Sequence, residues 1–184
     1  MIDSHILYLT ILSSVTIFLA LTLFWILKLV PANLAKWEKL PRNVLWGMII
    51  AVIDLAICVP QSEPIVPTGM KPWLIPLAVI SAWIVYQFLD YIFSRAFGGA
   101  LILLSYYLLF ASFTYHTPAK IPFALGCYGI GILGIFFCGK PFLMRDLIRK
   151  IANSAKWRNI SAIISTLYTI LFLIITVLEF LKLK

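Results

Sequence analysis

Residues 97–115 read FGGALILLSYYLLFASFTY, and this stretch decides the fold because it contains no charged side chain. A helix needs about 20 mainly apolar residues to cross the roughly 30 Å hydrocarbon layer of a membrane. Five other stretches of similar character flank it, and the six predicted spans are residues 6–30, 44–59, 73–89, 97–115, 122–139 and 160–181. The sequence therefore predicts an all-α polytopic membrane protein, a six-transmembrane-helix bundle that forms one domain over residues 1–184.

The composition excludes the main classes of soluble protein. Hydrophobic residues make up 62% of the 184 positions and charged residues 12%, whereas a soluble domain carries roughly 25% charged residues. A cytosolic enzyme, a nucleic-acid-binding domain and a disulfide-stabilised secreted module are excluded, the last because the three cysteines lie in apolar runs without paired spacing. We interpret the net charge of +8 as a signal of membrane topology, with no nucleic acid as a partner.

The basic residues are distributed unevenly between the predicted loops. With the N terminus outside, the inner segments hold 11 Lys and Arg residues and the outer segments hold four. Short cytoplasmic loops are the ones enriched in these residues. We therefore expect a plasma (inner) membrane protein with both termini outside. The first span is expected to be retained, because its apolar run is longer than the core of a signal peptide.

Two connections have distinctive sequences. Residues 60–72 contain four prolines, which remove backbone donors and restrict the preceding residues, so this loop cannot be helical throughout. Residues 140–158 place Arg145, Arg149 and Lys156 on one side of a helical pattern and apolar residues on another. This pattern predicts a short amphipathic cytoplasmic helix on the anionic lipids of the inner leaflet, with a solvated connector as the alternative.

Asp54 lies past the middle of the second predicted span. An ionisable side chain there costs about 2.5–3.5 kcal/mol on insertion scales, so it normally faces protein or water. Gly47, Ala51 and Cys58 share its helix face, and small residues let another helix approach. We expect a carboxyl group hydrogen-bonded to a neighbouring side chain, and the alternative is an intramembrane proton or cation site.

A second polar group is predicted at the inner ends of the spans. Its members lie at the end of the third span, in a predicted helix break over residues 94–99, and in the inner connector. They are Gln87, Asp90, Arg95, Arg145 and Asp146. We expect them to form an interhelical salt-bridge network, and the alternative is a pocket for an anionic lipid head group.

The fifth span carries small residues on one face. Gly131 and Gly134 lie between Cys127 and Cys138 at helical spacing. Such a groove is typical of close helix packing, either within the chain or between copies. We therefore interpret the two glycines as helix-packing residues.

The sequence contains no catalytic template. It lacks G-x-S-x-G and H-E-x-x-H, and no catalytic residue, metal or cofactor is predicted. His5, Glu63, His116 and Glu179 are expected near the outer surface as solvated groups, and a metal or proton site is the alternative. The favoured function is a non-catalytic subunit or scaffold that packs with itself or with a membrane partner. A transporter component for a small solute, an ion or a lipid comes second, and an integral-membrane enzyme acting on a lipid comes third.

Overall fold

The computed structural model describes residues 2–88 and 90–182, and these residues are almost entirely helical. Helix accounts for 88% of the structure, and the described residues contain no strand. The α-helices are α1 (Ile2–Lys28), α2 (Leu34–Trp37), α3 (Val44–Ser62), α4 (Leu74–Phe88), α5 (Ile92–Thr114), α6 (Lys120–Gly139), α7 (Phe142–Asn153) and α8 (Ala155–Leu181). Short 3₁₀ segments, Pro31–Asn33, Leu40–Arg42 and Thr68–Trp73, precede α2, α3 and α4.

Six of these helices are long and apolar enough to cross a membrane. They are α1, α3, α5, α6, α8, and α4 together with the 3₁₀ segment before it. The predictions of an all-α fold and of six candidate spans are therefore confirmed. His5 on α1 contacts Glu179 on α8, so α1 begins where α8 ends, at what we name the terminal end. The opposite end, which carries α7, is named the connector end.

The predicted helix break over residues 94–99 is wrong. These residues belong to α5, and the chain turns earlier, at Tyr91, whose backbone is left-handed with φ 58°. Gly98 does not end the helix, because it is a contact point: a Cβ atom there would lie 2.6 Å from the carbonyl oxygen of Gly134 on α6. The glycine therefore serves close helix packing, and the fourth span starts at Ile92 instead of residue 97.

The predicted amphipathic connector is present as α7, but it is shorter than expected. Ser154 is extended and α8 starts at Ala155, so Lys156 belongs to α8. The apolar side of α7 packs on the end of α1, while Arg149 and Lys150 on its other side are exposed. This separation of apolar and basic sides is the amphipathic pattern that the sequence predicts.

The proline-containing connection is helical at both of its ends. α3 continues through Pro60 to Ser62, since a proline in the last turn disturbs few of the helical hydrogen bonds. Residues 63–67 form turns and extended backbone before the 3₁₀ segment Thr68–Trp73. The expectation that this loop is not helical throughout is thus confirmed.

The bundle is organised around the hairpin of α5 and α6. α1 pairs with α8, α8 also contacts α6, and α3 lies along α5. The main core side chains come from α1, α5, α6 and α8, and the largest are Tyr8, Leu12, Leu108, Phe123, Phe172 and Ile175. α4 packs mainly against α3 at the edge of the bundle, and its candidate span contains no buried residue.

Candidate functional site

Asp54 is half-buried on α3, on the side that faces α5. A Cβ atom added at Gly99 on α5 would lie 3.0 Å from Oδ2 of Asp54, so the carboxyl group occupies space that the glycine leaves open. Closer to the connector end, Gly47 brings α3 against the backbone of Phe93. The face of small residues on α3 therefore packs on α5.

The hydrogen-bonded neighbour expected for Asp54 is absent from the described part of the chain. No salt bridge joins its carboxyl group to a residue at 5–87 or 90–182, and the side-chain hydrogen bonds of α3 involve Asn43 and Ser62 instead. In hydrocarbon, a carboxyl group without a partner is costly. Asp54 is accordingly a group that a proton, a cation or another protein would stabilise.

Tyr91 is the centre of the polar group at the connector end. Its hydroxyl oxygen accepts a hydrogen bond from Nη2 of Arg42 at 2.7 Å and another from Nη1 of Arg145 at 3.0 Å. Nε and Nη2 of Arg145 both donate to Oδ1 of Asp146 at 3.2 Å. Sequence reasoning missed the role of Tyr91, because a tyrosine in a turn carries no spacing signal that relates it to distant arginines.

The other predicted members of this group lie nearby but bond differently. Nε of Arg95 donates to the backbone carbonyl of Asp90 at 3.4 Å, and Nη1 donates to the carbonyl of Cys138 at 3.2 Å. Arg95 thus satisfies a carbonyl at the C-terminal end of α6, where cations are favoured. Gln87 is exposed. Within the predicted set, Arg145 and Asp146 form the one ion pair that the described residues show.

A third polar group surrounds Glu179 at the terminal end. Glu179 is fully buried, so it is not the solvated residue that the sequence predicts. Its Oε2 lies 3.4 Å from Nε2 of His5, and its Oε1 accepts a hydrogen bond from Nζ of Lys182 at 3.0 Å. Nζ of Lys182 also donates to the backbone carbonyl of His116 at 2.9 Å. The buried carboxyl group therefore ties the two ends of the chain together.

Aromatic side chains extend this third group into the core. The hydroxyl groups of Tyr8 and Thr117 are 3.0 Å apart and buried, and the ring of Tyr115 lies 5.3 Å from that of Tyr8 and 4.7 Å from that of His5. Of the four polar residues expected near the outer surface, His5 and Glu179 are brought together. His116 contributes its carbonyl, and Glu63 is exposed in the turn after α3.

Gly131 and Gly134 both face α5. A Cβ atom at Gly134 would lie 2.7 Å from the carbonyl oxygen of Gly98, and one at Gly131 would lie 3.0 Å from Oγ of Ser105. Ser105 also donates from α5 to the carbonyl of Cys127 on α6 at 2.7 Å. The α5–α6 contact thus combines small residues with a buried interhelical hydrogen bond.

The chemistry available to these polar groups is limited. Within the described residues, no group of three or more His, Cys, Asp or Glu side chains is placed to hold a metal ion. Comparison of the chain with protein-family models, curated proteins and solved structures gives no match. Function is therefore inferred from the three polar groups and from the helix packing.

Proposed function

We propose that the protein is a non-catalytic, multi-pass membrane subunit or scaffold that packs with itself or with a partner protein. The six apolar helices are compatible with a multi-pass membrane protein. The observation behind the proposed packing role is the exposed edge formed by α3 and α4. These two helices have the smallest buried shares among the six candidate spans.

The edge has the features of a helix-packing surface. A groove of about 480 Å³ runs between α3 and α4 and is lined entirely by apolar residues, among them Ala56, Ala78 and Ala82. Small side chains let a further helix approach closely, and close packing is the main attraction between helices in lipid. The groove therefore offers a surface on which another helix could pack, and such a helix is the occupant that we propose.

Asp54 gives a second reason for a protein partner. It lies on the same helix, α3, with its carboxyl group half-exposed beside α5 and no bonded neighbour in the described chain. A partner that supplied a hydrogen-bond donor would lower the cost that insertion scales give for such a group.

The proposed location is the plasma (inner) membrane with the connector end in the cytoplasm. The exposed basic side of α7, including Arg149 and Lys150, would then lie on the anionic inner leaflet. A reporter active only in the cytoplasm should work when fused after Lys39 or Lys150 and fail when fused after Gly69. Activity after Gly69 would reverse the proposed orientation.

Photo-crosslinking in native membranes tests the packing proposal. A photoreactive residue at Val79, which is 64% exposed in the groove, should give protein crosslinks of discrete mass. The matched control is Leu167, which is 62% exposed on α8. The mass of the Val79 product shows whether the occupant is a second copy, and light scattering of the purified chain checks that result. Lipid adducts alone at both positions, with a monomeric chain, would contradict the proposal.

A transporter component is the alternative, and Asp54 is again the observation that favours it. An unpartnered carboxyl group in the middle of a candidate span is a candidate proton or cation site. In that case the thermal stability of the wild type should depend on a specific cation, and Asp54→Asn should abolish this dependence without unfolding the protein. No residue arrangement in the described chain favours the third function, an enzyme acting on a lipid, over these two.

A further inference from the structure

A cleft of about 300 Å³ opens at the connector end, beside the first turn of α5. It is lined by Arg42, Val44, Asp90, Tyr91 and Ile92. The lining combines apolar residues with two residues of opposite charge. The cleft lies where α3 and α5 begin, at the level at which lipid head groups meet a bundle of this kind.

Arg42 is held in position at this cleft by Tyr91. Its guanidinium group donates to the tyrosine hydroxyl at 2.7 Å and lies 4.7 Å from the centre of the tyrosine ring. Tyr91 in turn adopts a left-handed backbone, φ 58°, that residues other than glycine rarely use. The same hydroxyl also accepts a hydrogen bond from Arg145. The turn before α5 therefore places the Tyr91 hydroxyl where it binds two guanidinium groups.

Asp90 lines the same cleft without pairing with Arg42. The pKa of Arg42 is raised, first by the hydrogen bond to Tyr91 and to a smaller extent by the charges of Asp90 and Glu38. Arg42 and Asp90 are neighbours because both line this cleft. They form no salt bridge within 4 Å. Arg95 donates to the backbone carbonyl of Asp90 and not to its carboxylate. One positive and one negative group thus face a common space, separated from each other.

A ligand that carries both charges fits this arrangement better than a simple anion. A bare phosphate would be attracted by Arg42 and repelled by the carboxylate of Asp90. A phosphate joined through a short chain to a primary ammonium group would satisfy both residues.

We propose that this cleft binds a phosphoethanolamine group, with the phosphate on Arg42 and the ammonium on Asp90. When the ligand is an aminophospholipid, the exposed side chain of Val44 lies beside the start of its apolar part. Free phosphoethanolamine presents the same chemistry without acyl chains. The proposal is independent of what covers the α3–α4 edge.

Ligand binding to the purified full-length chain in detergent tests the proposal. The probes are phosphatidylethanolamine, phosphatidylglycerol and phosphatidylcholine with identical acyl chains, together with free phosphoethanolamine and inorganic phosphate. Phosphatidylethanolamine should bind most tightly among the lipids. Arg42→Gln should weaken binding of both phosphatidylethanolamine and phosphatidylglycerol by about tenfold or more, since it removes a charge-assisted hydrogen bond.

Asp90→Asn separates the two halves of the proposed ligand. It should lower the affinity for phosphatidylethanolamine by about tenfold and leave the affinity for phosphatidylglycerol unchanged or higher. Arg158→Gln removes an equal charge at the same end, outside the cleft, and should change neither affinity. The lipid-free thermal stability of each variant confirms that it is folded, and Arg42→Lys, which keeps the charge, should retain part of the binding.

Two results would overturn the proposal. One is a preference for phosphatidylglycerol that Asp90→Asn does not alter, because the site would then be a plain anion site. The other is equal binding by Arg42→Gln and Arg158→Gln. Binding of free phosphoethanolamine with the same dependence on Arg42 and Asp90 would identify a soluble ligand, whereas binding of the lipid alone would identify the membrane as its source.

Discussion

The α5–α6 hairpin and the α3–α4 hairpin are built from similar apolar helices, yet they are packed to very different depths. In α5 and α6, 39% and 33% of the candidate span is buried inside the bundle, compared with 11% in α3 and none in α4. Both hairpins contain small residues at their contact. The amount of apolar sequence therefore does not determine how deeply a helix lies in this protein.

The difference lies in how complete each contact is. Between α5 and α6, Gly98 meets the backbone at Gly134, and Ser105 donates to a carbonyl across the contact. Between α3 and α4, valine, leucine, isoleucine and alanine side chains line an open groove. Asp54, on the side of α3 that faces α5, has no partner in the described chain. The first contact is complete within the chain, whereas the second leaves an apolar groove open in the described part of the chain.

The largest effect is expected for Gly134→Leu in the complete contact. A Cβ atom alone would lie 2.7 Å from the backbone oxygen of Gly98, and backbone cannot move aside as a side chain can. Overpacking typically costs 1–3 kcal/mol, so we expect a loss of about 3 kcal/mol and little folded protein in detergent. Thermal unfolding and the monodisperse fraction after purification measure this loss.

Gly139→Leu is the matched control for that substitution. Gly139 lies at the end of the same helix, and a Cβ atom there has nothing within 4 Å. It should therefore leave the thermal unfolding temperature close to that of the wild type. Equal stability of the two variants would mean that α5 and α6 separate readily, and the contrast between the two hairpins would be lost.

The sequence predicts the helices well and their contacts less well. Spans are recognisable because each needs about 20 apolar residues regardless of its neighbours. The predicted break over residues 94–99 is wrong because glycines in a loop and glycines at a helix contact look alike in a single sequence. Tyr91 and Glu179 could not be assigned because their partners, Arg42, Arg145 and His5, are distant in the chain. With an even number of spans, both ends of the chain lie on the same side of the bundle, and this places His5 and Glu179 at the same end. The span count is therefore the feature of the sequence from which their contact could have been inferred.

A smaller effect is expected at the terminal end for Glu179→Gln. Glu179 is fully buried, while His5 and Lys182 are 17% and 40% exposed, so the basic groups can turn to water when the carboxylate is lost. We expect a destabilisation of about 1–2 kcal/mol from the weakened hydrogen bonds, measured by thermal unfolding. Glu63→Gln removes an exposed carboxylate in the turn after α3 and should have almost no effect. Equal changes in thermal stability for Glu179→Gln and Glu63→Gln would mean that Glu179 does not hold α1 to α8.

The smallest effect in the isolated chain is expected for Asp54. Because no described residue bonds to its carboxyl group, Asp54→Asn and Asp54→Leu leave no donor unpaired, and each should change stability in detergent by less than about 0.5 kcal/mol. In native membranes a partner that donates to Asp54 would be left unpaired by Asp54→Leu, at about 1–3 kcal/mol, so the Val79 crosslink should weaken there. The test therefore compares the effect of Asp54→Leu on the purified chain in detergent with its effect in native membranes. A destabilisation above 1 kcal/mol in the purified chain would show that Asp54 already has its partner inside the bundle, and the argument from Asp54 for an external one would fail.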